Sequence, residues 1–254
     1  MRALFSSLIV IVFVLGFSSG VRAQGEVALL SPNPIQKTID KLVADFQAKT
    51  GTKVNVTYGT GVSTRKTVAD GGALDVTLLF APFDDALKTG NVDPKTATVI
   101  ARMRLAIAVK KGAPKPDIST AAAAKKALLD AKSIISVDPA QGSVGGAALL
   151  ALNKMGITDQ VKPKIQWVQN GGLVQSAVAK GDVEMTLGPY LSDMRDPGLD
   201  VVGALPPGAS TPIDITGFLA TNVKNPKAAK ALLKYLSSHD VASVYEDAKL
   251  FPAH

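Results

Sequence analysis

Three features of the sequence predict an α/β fold built mainly from parallel strands. Short runs rich in Val, Ile and Leu alternate with helix-period patterns over most of the chain, as strand–helix–strand units require. The clearest helix follows the first strand candidate at once, and its apolar residues fall on one face. Two Pro- and Gly-bearing stretches, Gly112-Ala-Pro-Lys-Pro116 and Leu205-Pro-Pro-Gly208, punctuate the middle, and about 230 residues beyond the N-terminal leader suffice for one large lobe or two small ones.

The leader comes first. Arg2, an apolar run over residues 8–17, a turn-like Ser18-Ser19-Gly20 and the small residues around Ala23 form the pattern of a secretory signal (residues 1–23), with cleavage expected near Ala23. The run is shorter than the ~20 apolar residues a membrane span needs, and no later segment reaches that length. An exported chain without Cys has neither a disulfide nor a lipid-modified cysteine, which fits a periplasmic protein.

Strands are expected at 26–30, 53–58, 76–80, 105–110, 133–137, 164–168, 185–187, 199–202 and 216–221. Between the first two, Asn33 is expected to cap a helix with Pro34 in its first position. Ile35, Ile39, Leu42, Val43 and Phe46 form its apolar stripe, and Gly51 ends it. The same start recurs at Asn225-Pro226, ahead of Ala229, Leu232, Leu233 and Leu236. A crossing near residues 102–104 and a return near 211–214 leave roughly 100 residues in each of two lobes, with the ligand site expected in the cleft between them.

Composition narrows the function. The formal charge of +7 is spread over separate lysines and aromatics make up 5%, so basic residues are not interleaved with stacking rings and nucleic acid is not an expected partner. A mild positive field suits a small anionic ligand. The histidines are His239 and His254, there is no thiol, and Asp75, Asp138, Asp182 and Glu184 occur singly. No triad, metal cluster or acid–base pair is visible locally, so neither enzyme activity, a cofactor nor a metal is expected.

Two glycine loops carry the ligand-binding signal. Gly59, Thr60, Gly61 and Ser63 lead from a strand into a helix, where backbone N–H groups and the positive helix end can meet an anion. The Gly-Lys-Ser/Thr ending of a phosphate loop is missing, and Arg65 and Lys66 lie inside the following helix. The plainer reading is a turn capped by Ser63. The second loop, Gly142-Ser143-Val144-Gly145-Gly146, also joins a strand to a helix; its glycines either expose amides or permit tight strand–helix packing.

A longer pattern joins these features. The blocks IDKLVADFQAKTGTKVNV with GTG, VADGGALDVTLL, GAPKPDIST, SVDPAQGSVGG with LNKMGI, VAKGDVEMTLGPYLSDM, GLDVVGALP and AAKALLKYLSS follow one another through nearly all of the exported chain. In their order and spacing the chain resembles the periplasmic molybdate-binding protein family and its relatives, type II periplasmic solute-binding proteins of ABC transporters. The resemblance implies two lobes, each a mostly parallel sheet flanked by helices, joined by a two-crossover hinge. Lobe 1 is then 24–103 plus 213–254 and lobe 2 is 104–212. It also implies a monomer that closes over a ligand and delivers it to an inner-membrane ABC permease.

Carried over residue by residue, the family's oxyanion contacts fall on Tyr190, on the amides around Ser143, Val144 and Gly145, and near Gly171-Gly172, hence Gly172. Two serines of the molybdate binders fall near Pro34 and Gly61 instead, where Ser31, Asn33, Thr60 and Ser63 stand close enough to substitute. Arg65 and Arg104 are candidate partners for a carboxylate. The expected ligand is a small anion, either a molybdate- or tungstate-like oxyanion or a small organic carboxylate. A periplasmic sensor partnering a signalling receptor would use the same fold and cleft, and a secreted enzyme is the weaker alternative.

Overall fold

The computed structural model describes residues 25–72, 74–193 and 196–253, so the signal expected at 1–23 lies outside the described residues. No helix among them is long and apolar enough to cross a membrane.

The chain begins with β1 (Glu26–Pro32), a 3₁₀ turn at Asn33–Ile35, α1 (Gln36–Thr50), β2 (Lys53–Gly59), α2 (Gly61–Ala69), β3 (Val76–Phe80), α3 (Asp84–Leu87) and the long β4 (Val92–Met103). It continues through β5 (Leu105–Lys110), α4 (Ala121–Asp130), β6 (Ile134–Val137), α5 (Ser143–Met155), α6 (Thr158–Val161), β7 (Ile165–Val168) and α7 (Gly171–Lys180). The short β8 (Met185–Thr186), β9 (Gly188–Pro189) and α8 (Tyr190–Asp193) precede β10 (Leu199–Ala204). The last part holds β11 (Ile213–Ala220), α9 (Pro226–Leu236), a 3₁₀ turn at His239–Val241, α10 (Ala242–Asp247) and β12 (Phe251–Pro252).

Two sheets result, one ordered β12-β4-β11-β3-β1-β2 and the other β10-β5-β8-β6-β7 with β9 paired to β5. In the first, β1 to β4 share one direction and β11 and β12 oppose them. In the second, β5 alone opposes its neighbours. Most strands of each sheet thus share one direction, but three of the five pairings in each are antiparallel, so both sheets are mixed. The reversed β5 and β11 are the strands by which the chain enters one sheet from the other. Only Arg104 separates β4 from β5, so the chain passes from one sheet into the other almost without a loop.

Helices cover both faces of each sheet. In the first lobe α1 and α9 bury the stripes read from sequence, Ile39, Leu42, Val43 and Phe46 from one and Ala229, Leu232, Leu233 and Leu236 from the other, in one core with Leu29, Leu78 and Ile215. Each of the larger of these side chains contributes ~1.5–3 kcal/mol on leaving water. The opposite face packs Val68 and Ala86 on Leu30, Leu79 and Phe218. In the second lobe α4 and α5 cover one face and α7 the other. Val144 and Ala147 of α5 pack against the main cores of both lobes, so the first half of α5 is the bridge between them.

Several expectations are corrected. Asn33 does not cap α1: Pro32 precedes a 3₁₀ turn holding Pro34, and α1 proper begins at Gln36. Gly51 ends α1 as expected, at φ 69° with its N–H donating to Gln47 O. The strand β4 was not among those expected from sequence, and its pairing to β11 is irregular at two places. Asp75 is structural, since its carboxylate accepts from Ala28 N at 2.9 Å and Lys224 N at 2.8 Å.

Candidate functional site

The carboxyl ends of β1, β2, β3, β6 and β7 point at one space between the lobes, the position where open α/β sheets leave a crevice. It is a cavity of about 160 Å³. Asn33, Pro34, Thr60, Gly61 and Phe80 line it from the first lobe. From the second lobe come Gln141, Gly142, Ser143 and Val144 at the start of α5, and Gln169, Asn170 and Gly171 at the start of α7, with Val137 and Pro189. Three helices of nine, thirteen and ten residues, α2, α5 and α7, thus begin at its wall.

The three helix starts differ. At α2 the Thr60 hydroxyl accepts from Ser63 N at 3.0 Å and donates to Ser63 Oγ at 3.1 Å, while Ser63 Oγ donates to Thr60 O at 3.1 Å. Thr60, not Ser63, is the cap, and the loop satisfies itself. At α7 Asn170 Oδ1 accepts from Leu173 N at 3.1 Å. At α5 the cap residue is Gly142, which has no side chain, so no side-chain cap engages the N–H groups of Ser143, Val144 and Gly145. A Cβ at Gly142 would meet nothing within 4 Å, whereas one at Gly145 would stand 2.3 Å from Val137 O. Gly145 is a packing glycine, as the plainer reading of this loop has it.

Arg65 enters the site from one turn inside α2. Its Nη1 donates to Ser143 Oγ at 2.8 Å, across the gap between the lobes, and its Nε stands 3.5 Å from Asp85 Oδ2. Its side chain is only 14% exposed against 67% for Asp85, so the guanidinium is a cleft group with a loosely held counter-charge. Behind the same loop, burial first and the bond its hydroxyl donates to Asp40 second push the Tyr58 phenol far above its ordinary range, so it stays protonated.

Of the residues expected from sequence, Asn33, Thr60, Gly61, Ser143 and Val144 meet on the cavity wall and Arg65 reaches it through Ser143. Ser31 is fully buried in β1 with no hydrogen-bond partner for its hydroxyl among the described residues. Ser63 and Gly145 are used locally, and Gly171 rather than Gly172 reaches the wall. Pro189 lines the wall but Tyr190 does not; Tyr190 N donates to Arg104 O at 3.0 Å. Arg104 stacks its guanidinium 3.7 Å from the Phe251 ring centre, away from the cavity. Gln141, Gln169 and Asn170 were missed, although residues just past a parallel strand and ahead of a helix are where such walls are built.

The wall therefore offers hydroxyls, side-chain amides and uncapped backbone N–H groups. No lining residue carries a carboxylate, imidazole, thiol or ammonium. Among the described residues no three His, Cys, Asp or Glu side chains gather as a metal site would require. Such a surface can hold an anion by hydrogen bonds and helix-end charge.

Comparison with known proteins agrees with this architecture. The sequence profile of the bacterial extracellular solute-binding proteins matches residues 27–248. An aconitate isomerase of a Pseudomonas species is 29% identical over 233 residues, covering 89% of this chain and 87% of that protein. The periplasmic molybdate-binding protein of Azotobacter vinelandii superimposes with a TM-score of 0.70 at 16% identity, over 90% of this chain and all of the other. The sulfate-binding protein SubI of Mycobacterium tuberculosis H37Rv does so with a TM-score of 0.74 at 15% identity, over 90% of this chain and 87% of that one. At such identities the structural likeness establishes the two-lobed fold.

Proposed function

The chain belongs to the bacterial extracellular solute-binding protein family, and from that premise we propose that it is the periplasmic component of an ABC transporter, a monomer that closes two lobes over a small anion. We place the lobes at 24–103 plus 213–254 and at 104–212. The observation that carries this reading is the uncapped start of α5 at a cavity walled by both lobes. Donors from both lobes favour the closed state, because a ligand shifts that equilibrium only by binding one state better.

The energetics are sufficient without a metal. Micromolar affinity corresponds to ~8 kcal/mol, and each hydrogen bond to a charged group contributes roughly 1.5–3 kcal/mol. Helix ends add ~0.3–1 kcal/mol each, against an association cost of at least ~4 kcal/mol. Five to seven neutral donors, on the order of this wall, are enough.

The ligand is read as a small organic carboxylate in preference to a molybdate-like oxyanion. Pro34 and Gly61 supply no side-chain donor, and Arg65 brings a nearly buried guanidinium with the fork geometry a carboxylate matches. A thermal-shift panel of molybdate, tungstate, sulfate, phosphate and di- and tricarboxylates tests it, since a ligand at a hundred times its Kd stabilises by ~2.7 kcal/mol. A shift with molybdate and tungstate alone sinks the carboxylate reading.

A second reading follows from the Pseudomonas relative: an exported isomerase acting on aconitate. Moving a proton along such a substrate needs a base within hydrogen-bond reach, and the wall holds no titratable side chain, which favours binding over turnover. Incubating cis-aconitate with the protein and following it by proton NMR decides between them; appearance of the trans isomer would establish the enzyme.

A further inference from the structure

We propose that the interlobe cleft has a second compartment, and that the ligand is an organic acid whose carboxylate meets the helix starts while its apolar chain runs along α5. This deepens, and rests on, the reading of the cleft as an anion site. The observation is a groove of about 430 Å³ on the far side of Ser143, the residue that lines both spaces.

The groove follows one face of α5. Ser143, Ala147, Leu150, Ala151 and Lys154 line it at helical spacing, and eleven residues at 1.5 Å each carry it about 16 Å from the anion cavity. Across from them stand Ala81 and Pro82 beyond β3, and Pro212 and Ile213 where the chain re-enters the first sheet. The walls are apolar apart from Ser143 at the near end, Thr211 and, at the far end, Lys154. Leu150 is 66% exposed, the most exposed of the large apolar side chains on the described surface, and so forms the open rim of this groove.

The partition between the two spaces is thin. It consists of the Ser143 hydroxyl, the Arg65 guanidinium bonded to it at 2.8 Å, and Gly61, where a Cβ would stand 3.5 Å from Ser143 Oγ. Of the three, Ser143 alone lines both spaces, Gly61 lines the cavity, and Arg65 reaches them through Ser143. A tetrahedral oxyanion would occupy the 160 Å³ cavity and leave the groove empty; a chain fills both.

The test is calorimetry with straight-chain carboxylates from acetate to octanoate, on the full exported chain and on Ala147→Phe and Leu150→Glu. Each methylene taken into the groove raises affinity roughly fourfold, so octanoate should bind more than a hundredfold tighter than acetate. Ala147→Phe plugs the groove beside Ser143 and should bring that ratio close to one. Leu150→Glu, at an exposed helical position that folding does not depend on, sets a carboxylate against the chain and should lower the ratio at least tenfold; thermal unfolding confirms that each variant is folded. Carboxylates bound with no dependence on chain length, or a ratio unchanged in the folded variants, overturn the second compartment and leave the anion site standing. Molybdate or sulfate bound with no carboxylate bound overturns it by removing its ligand class. If no anion of either kind binds, the reading of the cleft fails and this inference with it.

Discussion

The glycine loops at residues 59–63 and 142–146 share a composition, join a strand to a helix and face the same cavity, yet they are built for different tasks. In the first, Thr60 and Ser63 close a ring of hydrogen bonds over the start of α2. In the second, Gly142 leaves the start of α5 without a side-chain cap, and Gly145 lets the helix lie directly on β6, 2.3 Å from Val137 O at its missing Cβ. A helix start is open to a ligand only when the chain has not already supplied the acceptor. Two loops alike in residue content can thus differ in kind.

Substitutions can break that contrast, beginning with the largest effect. Gly145→Ala forces a methyl into the backbone of β6 and is expected to destabilise the fold by about 3 kcal/mol, read as a fall in the urea midpoint at unchanged slope. The same change at Gly61 is the control, since its Cβ would meet Phe80 at 3.4 Å and Ser143 Oγ at 3.5 Å, ordinary contact distances.

Ser143→Ala keeps the α5 amides but deletes the hydroxyl that Arg65 grips. Because that hydroxyl accepts from Arg65, its own proton is left for the anion, and losing this donated bond is expected to cost ~1.5–3 kcal/mol, at least about tenfold in anion affinity by calorimetry. If the affinity holds, the amides alone carry the site and the Arg65 bridge is incidental.

Thr60→Ala sharpens the comparison from the other side. Loss of this cap should cost about 1 kcal/mol of thermal stability while leaving anion affinity within about twofold, because the hydroxyl already serves Ser63. A large affinity loss at constant stability would show that the ring opens to the ligand. The smallest effect is expected for the stability of Gly61→Ala, a gain of ~0.4–1 kcal/mol from a less flexible unfolded chain, measured by the same unfolding curves.

Much of the fold was legible because it is written in local terms. The stripe from Ile39 to Phe46, the Asn-Pro start of α9 and the glycine ending of α1 are matters of period, cap and φ, which neighbours along the chain decide. The site was legible in part. Thr60, Gly61, Ser143 and Val144 follow from strand–glycine–helix punctuation, whereas Gln169 and Asn170 carry no glycine signal ahead of them and passed unnoticed. Tyr190 and Arg104 lie next to each other at the crossover, paired backbone to backbone, with Phe251 of the C-terminal strand under the guanidinium. No local pattern signals that contact.

The sequence by itself therefore determined the α/β class, the helix faces, the positions of both glycine loops and the family resemblance, all properties of short stretches taken in order. The tertiary structure alone decided which loop stays open, which glycine packs and which arginine enters the cleft. Arg65 and Ser143 are 78 residues apart, on helices α2 and α5 that follow strands of different sheets. They meet because two reversed strands, β5 and β11, set one lobe against the other, and the register of those strands is fixed by partners that no local window contains.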